Sequence, residues 1–518
     1  MLRHELLQQL DDPRQQWDMI VVGGGATGLG TAVDAAARGY RTLLLEQRDF
    51  AAGTSSRSTK LIHGGLRYLQ QGNLALVQES LHERGVLMRN APHLVHNLAF
   101  IVPLYDWWEG PLYGAGLKLY DLLAGRLGLA PSRRLNREET LQLLPMIEPY
   151  GLRGGISYHD GQFDDARLAV TLARTLEDLG GVPLNYLEVV ALEKTAGLIA
   201  GVIARDRESG REYRLRARVV INATGAYCDT IRRLDDPAAA SIITPSQGIH
   251  LVLERSFLVG ESAIMVPRTD DGRVLFAVPW YDRVLIGTTD TQVTCISAEP
   301  RPLAGEIDYL LTHAGRYLTR RPVRSDILSV FAGLRPLLQK GGHEETASLP
   351  RDHAILVSTS GLVTVSGGKW TTYRRMAEDA VDQAEAVAGL TARPATTENL
   401  PVHGWQETIE NEPWGVYGAD SGQLAALAAE QSTANELLHP RLPYRACQVI
   451  WAVRHEYART VEDVLARRTR ALFLDATASM EMAPEVARLL AAELGYDAGW
   501  QQRQVSDFLT VARGYLPE

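Results

Sequence analysis

Cysteine is scarce: Cys228, Cys295 and Cys447 are the only three in 518 residues. They stand too far apart for the paired spacing of a zinc or redox motif, and such usage suits a reducing compartment. No run of 18 uncharged apolar residues occurs, which excludes a membrane-spanning helix. The opening stretch MLRHELLQQLDDPRQQWD places Glu5, Asp11 and Asp12 where a secretory leader needs an unbroken apolar core. The expectation is a cytoplasmic chain, or one lying on the inner face of the cell membrane without crossing it. Basic charge is also not in excess, with 53 Lys and Arg against 62 Asp and Glu and a net charge of −9. That balance argues against an extended nucleic-acid groove, so local basic clusters need local targets. Internal repeats and low-complexity tracts are missing too.

What is present is an ordinary globular composition, 45% hydrophobic and 22% charged, in a chain long enough for several domains. Residues 18–46 read DMIVVGGGATGLGTAVDAAARGYRTLLLE. An apolar run enters a glycine-rich turn, helical spacing follows from Leu29 to Ala37, Gly39 ends the helix, and TLLLE is a second buried strand. Within this strand–helix–strand unit Gly23, Gly25 and Gly28 fill G-x-G-x-x-G, the pattern that lets backbone approach a pyrophosphate at a helix N-terminus. Glu46 ends the second strand 18 residues after Gly28, placed to accept hydrogen bonds from a ribose diol and to disfavour a 2′-phosphate. NAD and FAD both satisfy this pattern.

The next stretch, TSSRSTKLIHGGLRYLQ (54–70), falls at the mouth of the crevice where open α/β sheets bind ligands. Its hydroxyls offer neutral hydrogen bonds to phosphate or ring oxygens, and Gly64 and Gly65 let main chain lie against a flat ring. On charge alone it is also a plausible solvated basic loop. The dinucleotide context favours the binding role.

This loop resembles that of the FAD-dependent glycerol-3-phosphate dehydrogenases, in which KLIHGGLRYL is distinctive. Further matches follow in order: VVINATGAYCD (219–229), SQGIHLVL (246–253), LFAVPW and LIGTTDT (275–291), FAGLRPL (331–337), LPRDHAI (349–355) and SGGKWTTYRRMAEDA (366–380). The departures are Arg57, Tyr227 and Trp370, the last narrowing the pocket. The resemblance implies a Rossmann-like α/β FAD-binding domain of the D-amino-acid-oxidase type, with an inserted antiparallel-sheet substrate domain and a C-terminal helical cap. The expected segments are 1–95, 151–240 and 346–390 for FAD, 96–150 and 241–345 for the substrate, and 391–518 for the cap. Residues 164–180 read as a helix capped by Asp164 or Asp165, and 215–225 as a buried strand. Alternation in HLVLERSF, RVLFAVPW and RVLIGTTD marks the substrate sheet. The glycines of GGK precede a helix whose N-terminus, if it faces the flavin, stabilises an anion there.

The cofactor implied is FAD, wrapped by distant segments rather than exchanged as a nicotinamide would be. The residues carried over to it are Gly23, Gly25, Gly28, Glu46, Thr54, Ser55, Ser58, Lys60, His63, Gly64, Gly65, Val189, Ala223, Thr224, Gly225, Gly367, Gly368, Lys369, Trp370 and Thr371. The reaction implied is oxidation of sn-glycerol 3-phosphate to dihydroxyacetone phosphate, with C2 giving a hydride to the flavin. It needs a base and a group that stabilises alkoxide. His250 and Arg335 are those candidates, and the sequence does not rank them for the proton. Arg67, Arg351 and Lys369, with Tyr68 as a neutral donor, form the expected phosphate clamp, because a buried dianion must be compensated. No metal is expected. Three other functions stay open: a glycerol-3-phosphate oxidase using oxygen, an amine or amino-acid oxidase of the same fold, and a non-catalytic flavin-binding escort.

Quinone is the electron acceptor that the resemblance implies, and membrane contact would follow. PLYGAGLKLYDLLAGRLGLAPSRRLNR (111–137) is apolar over most of its surface and carries a net +4 from Lys118, Arg126, Arg133, Arg134 and Arg137 against Asp121, with Trp107 and Trp108 beside it. It fits either a buried wall of the substrate domain, the commoner fate of apolar helices, or an anionic membrane surface. A homodimer is also allowed. Beyond a linker near residues 395–416, helical periodicity fills 444–473 and 482–496, and the arginines of ARTVEDVLARRTR read as a solvated or ion-paired helix face.

Overall fold

A computed structural model describes residues 3–12, 14–65, 69, 72–267, 269, 273–339, 353–407, 414–430 and 432–517. Its first sheet is built on Gln16–Val22, whose last four residues are all buried. Alternate residues serve opposite sides: Met19 and Val21 pack under the helix Ala26–Ala37, while Ile20 and Val22 pack toward Leu6, Leu43 and Leu187. A strand covered on both faces therefore reads as a continuous apolar run rather than an alternating one. Parallel neighbours are Thr42–Leu45 on one side and Glu212–Asn222 on the other, followed outward by Val182–Leu184 and Val363–Gly367. His353–Val357 closes the latter edge antiparallel, and an antiparallel pair, Leu187–Thr195 and Leu198–Asp206, hangs from Glu212–Asn222. The helix Asp165–Asp178 starts where Asp164 accepts the Arg167 N–H at 3.0 Å.

The second sheet takes its strands from 61–62, 95–104, 133–136, 154–163 and 243–338. It departs from expectation in two ways. Gly154–Phe163 runs here, antiparallel to Val95–Leu104, so the substrate sheet claims residues assigned above to an FAD segment. The sheet is also not wholly antiparallel, because Val95–Leu104 and Ala263–Val266 come from separate excursions of the chain and meet in parallel. Ile243–Glu254 is its functional strand. Ile249, Leu251 and Leu253 point into a core with Ile307, Leu310 and Ala314 of the helix Ala304–Tyr317, which leaves Ser246, Gly248 and His250 on the other face. Its neighbour Ile327–Leu338, not foreseen as a strand, contains Pro336; among the described residues it pairs only with Ile243–Glu254, the edge position that proline tolerates.

The C-terminal helices share a core with this sheet: Val252, Trp280 and Phe331 pack with Leu472 and Phe473. The expected run 444–473 is divided into Ala446–His455, a π-helical turn Asp463–Arg468 and Ala471–Leu474, with Tyr457 and Arg470 at positive φ between them. Of the two fates open to the arginines at 467–470, the ion-paired one holds, and in the interior. Arg467, Arg468 and Arg470 are at most 4% exposed and pair with Asp49, Asp463 and Asp165.

Candidate active site

Between the two sheets lies a cavity of about 720 Å³. Its floor at one end is the dinucleotide turn. Gly23 adopts φ +111°, and a Cβ there would stand 2.6 Å from the Ala223 carbonyl oxygen. Gly28 lies behind the turn, off the cavity, where a Cβ would come within 1.8 Å of the Gly23 oxygen, so its role is close helix packing. Glu46 is held by N–H groups of Gly24 at 2.7 Å and Arg48 at 2.8 Å. Burial pushes its carboxyl up, and those two donors oppose the shift.

The 54–63 loop is tied across the top. Ser55 Oγ accepts the Ala26 N–H at 2.9 Å, its carbonyl accepts Trp370 Nε1 at 2.9 Å, and Thr54 Oγ1 donates to the Leu334 carbonyl at 2.5 Å. His63 and Thr371 exchange longer bonds of 3.3 Å. Gly23, Gly25, Glu46, Thr54, Ser55, Ser58, His63, Val189, Ala223, Thr224, Gly225, Gly367, Gly368, Lys369, Trp370 and Thr371 all line this one hollow. Trp370–Thr372 and the helix Tyr373–Ala388 thus begin at the cavity wall.

Besides Gly28, three of the residues expected at the cofactor lie off this lining. Lys60 is a correction: at φ +64° its side chain turns inward, fully buried, and its Nζ donates to Asp165 Oδ2 and the Ser56 carbonyl, each at 2.7 Å. Burial lowers this ammonium to about 7, against the pull of Asp165. Gly64 and Gly65 also leave the lining. The Gly64 N–H donates to Tyr120 Oη at 2.9 Å, and a Cβ there would meet Leu81 at 2.4 Å, so this glycine permits close packing of the helix that carries Leu81.

Strand register makes the opposite end. Gly248 pairs with Gly333 and His250 with Phe331, so His250, both glycines and Arg335 share one face. The two glycines form a floor without side chains. Arg335 folds back over it, since a Cβ on Gly248 would lie 2.2 Å from its Nη2. That nitrogen donates to Thr288 Oγ1 and the Thr289 carbonyl at 3.0 Å each, and Nη1 stands 3.8 Å from Asp290. His250 Nε2 meets Thr59 Oγ1 at 2.9 Å and its ring stacks on Phe331 at 5.0 Å. Burial pushes this imidazole well below its usual range, with Lys60 and Arg335 adding to the shift, so it stands neutral near pH 7. Lys369 Nζ lies 3.1 Å from Ser80 Oγ on the helix Leu74–Asn90.

Residues 18–374 match the family described as FAD dependent oxidoreductase, and 358–501 the C-terminal domain of alpha-glycerophosphate oxidase. The mitochondrial glycerol-3-phosphate dehydrogenase of Homo sapiens is 38% identical over 96% of this chain and 74% of its own length. That of Arabidopsis thaliana is 38% identical over 94% of this chain and 84% of its own. The chain belongs to the FAD-dependent glycerol-3-phosphate dehydrogenases. The crystal structure of the glycerol-3-phosphate dehydrogenase from Bacillus halodurans, complexed with FAD, superposes with a TM-score of 0.81 at 28% identity, over 99% of this chain and 98% of that one. Glycerophosphate oxidase of Mycoplasma pneumoniae, at 17% identity and a TM-score of 0.57 over 74% of this chain and 98% of that one, shares the fold.

The cofactor of this family member is FAD, and the cavity suits it: a glycine turn at a helix N-terminus for the pyrophosphate, Glu46 for the ribose, and neutral loop hydroxyls beyond. Of the expected clamp, Lys369 lines the cavity with Arg335, whereas Arg67, Tyr68 and Arg351 lie outside the described residues. The sequence reading missed Thr59 and the Gly248–Gly333 floor. Thr59 sat in the quoted loop without a role, and the floor exists only through strand pairing. Arg48 and Arg57 also reach the cavity, both paired with Glu299, at 2.9 and 2.7 Å.

Proposed function

We propose that this chain oxidises sn-glycerol 3-phosphate at C2 to dihydroxyacetone phosphate and passes the electrons to a quinone at a membrane surface. Bound FAD supplies the two-electron acceptor. The observation that carries the reading is Arg335 folded over the Gly248–Gly333 floor beside His250, in the same hollow as the dinucleotide turn and Lys369. The glycines leave room for Arg335 and for the Arg57 loop to lie close over the two strands, beside the hollow that would take a small phosphorylated alcohol. Arg335 polarises the C2 oxygen as charge develops on it. His250 enters neutral and takes the hydroxyl proton on its ring; a phosphate dianion nearby offsets the cost of the buried imidazolium. Lys369, with Arg67 and Arg351 as proposed partners, compensates that dianion.

Turnover with a soluble quinone analogue tests this. Glycerol, which lacks the phosphate, should lose on the order of 10³-fold in kcat/KM, the equivalent of about 4 kcal/mol for charge-assisted contacts. Comparable rates with and without the phosphate would remove the clamp.

The membrane part rests on the helix Glu109–Ala124. Gly110, Leu117 and Tyr120 face inward, while Trp108, Leu112, Leu119 and Leu122 face outward at helical spacing, with Trp107 at 76% and Leu122 at 75% exposure. The exposed stripe favours a surface that meets lipid over a buried wall. Among the described residues no helix is long and apolar enough to cross a membrane.

A further inference from the structure

The C-terminal helices reach the candidate base through buried charge. Arg470, 1% exposed and at φ +61°, sends Nη2 to the Ser56 carbonyl at 2.8 Å and to Asp165 Oδ1 at 3.1 Å. Lys60 binds the same two residues from the other side, its Nζ 2.7 Å from both the Ser56 carbonyl and Asp165 Oδ2. Asp165 also accepts the N–H and hydroxyl of Ser58 at 3.0 and 2.7 Å, so one carboxylate gathers the loop from Ser56 to Lys60. Thr59 is thereby the residue left pointing toward His250, at 2.9 Å.

The other side of the imidazole is fixed from the same place. Phe331 stacks on His250, and the Lys60 ammonium lies 5.2 Å from the Phe331 ring and 5.3 Å from Phe473, on which Arg470 also packs at 4.1 Å. Three elements far apart in the chain therefore converge behind one ring, and the role of the cap's arginine is more specific than cohesion.

We propose that Lys60, Asp165 and Arg470 form a positioning unit by which the C-terminal helices fix the orientation of His250 through Thr59 and Phe331. The unit touches neither substrate nor cofactor. It rests on the reading of His250 as proton acceptor. A cation at residue 470 holds Ser56 and Asp165, the loop conformation follows, and the Thr59 hydroxyl sets the imidazole ring. Displacement of a reacting group by about 1 Å costs on the order of 10²-fold in rate, so the unit should be read in kcat rather than in binding.

The test uses the purified full-length holoenzyme, with rates expressed per bound flavin. Arg470→Met should lower kcat by about 10- to 100-fold with KM for glycerol 3-phosphate changed less than about 3-fold, and Arg470→Lys should recover most of the loss. Thr59→Val should reduce kcat similarly, and the double variant should be little worse than either single one, because both break one linkage. Full kcat per flavin in Arg470→Met, or losses that multiply in the double variant, would overturn the proposal. Should Arg470→Met fail to fold, the cycle of Arg470→Gln with Thr59→Val reads the same coupling. His250→Asn separates the two levels: if it keeps full kcat, the proton-acceptor reading fails and the unit with it, whereas an inactive His250→Asn beside an unaffected Arg470→Met removes the unit alone.

Discussion

Two groups of cations in this molecule have similar residue types and opposite surroundings. Arg467 and Arg468 are buried against Asp49 at 2.5 and 2.6 Å, and Asn185 completes that carboxylate at 3.1 Å. Arg335 and Lys369 line a cavity, reaching oxygens of Thr288, Thr289 and Ser80, with Asp290 3.8 Å from Arg335. A guanidinium matched by a carboxylate in the interior has its charge consumed by the fold. One that lines a cavity is placed to meet a visiting anion as well as its protein partners. The first group should answer to stability measurements and the second to kinetics.

The sharpest way to break that contrast is Asp49→Ala. It strands the buried Arg468 guanidinium and leaves Arg467 only Glu462 and Asp463, and urea unfolding should show a loss of about 3–5 kcal/mol; a loss under 1 kcal/mol would mean the interior pairs are not structural. Arg335→Met should do the reverse, lowering kcat/KM by about 10²–10³-fold while stability moves by less than about 1 kcal/mol.

His403 gives a smaller, pH-dependent case. Burial alone would lower its pKa, but Asp178 at 2.6 Å and Asp420 at 2.9 Å outweigh that and raise it from 6.5 to about 9. A folded-state pKa raised this way adds stability that is complete below pH 6.5 and is lost as pH climbs through about 9. The thermal midpoint of the wild type should therefore exceed that of His403→Gln most at pH 6 and converge with it above pH 9; a gap that widens with pH would reverse the assignment. The smallest stability effect belongs to the outward stripe. Leu112→Asn with Leu122→Asn should change stability by less than about 0.5 kcal/mol, yet each lost contact removes about 2 kcal/mol of lipid burial. Flotation with anionic vesicles should fall steeply, and equal flotation would detach the helix from the membrane.

The difference between the two groups was only half legible in the sequence. The dinucleotide turn could be read because glycines, strand and acid fall within residues 18–46 and each answers a local steric or hydrogen-bonding need. Strand alternation likewise exposed Arg283–Gly287 and its neighbours. Lys60 could not be read: its charge beside hydroxyls suggests phosphate, and only the left-handed φ of +64° sends it to Asp165. The arginines at 467–470 fall in a helical pattern that reads as solvated or ion-paired, and their burial was not legible because the carboxylate that pairs with two of them is more than 400 positions earlier. The glycine floor under Arg335 depends on the register of Gly248 against Gly333, which no single segment contains. Ile327–Leu338 escaped notice because its Pro336 and Gly333 weaken the strand signal that an edge position permits.

The account stands on one hollow holding both the dinucleotide turn and the cationic floor, so a single ligand at the floor must reach the flavin electronically. Anaerobic titration of the purified yellow protein with glycerol 3-phosphate measures this directly. Stoichiometric bleaching of the oxidised flavin band, slowed about 10²–10³-fold in Arg335→Met with FAD still bound, is the result expected. A band that persists at saturating glycerol 3-phosphate would contradict it.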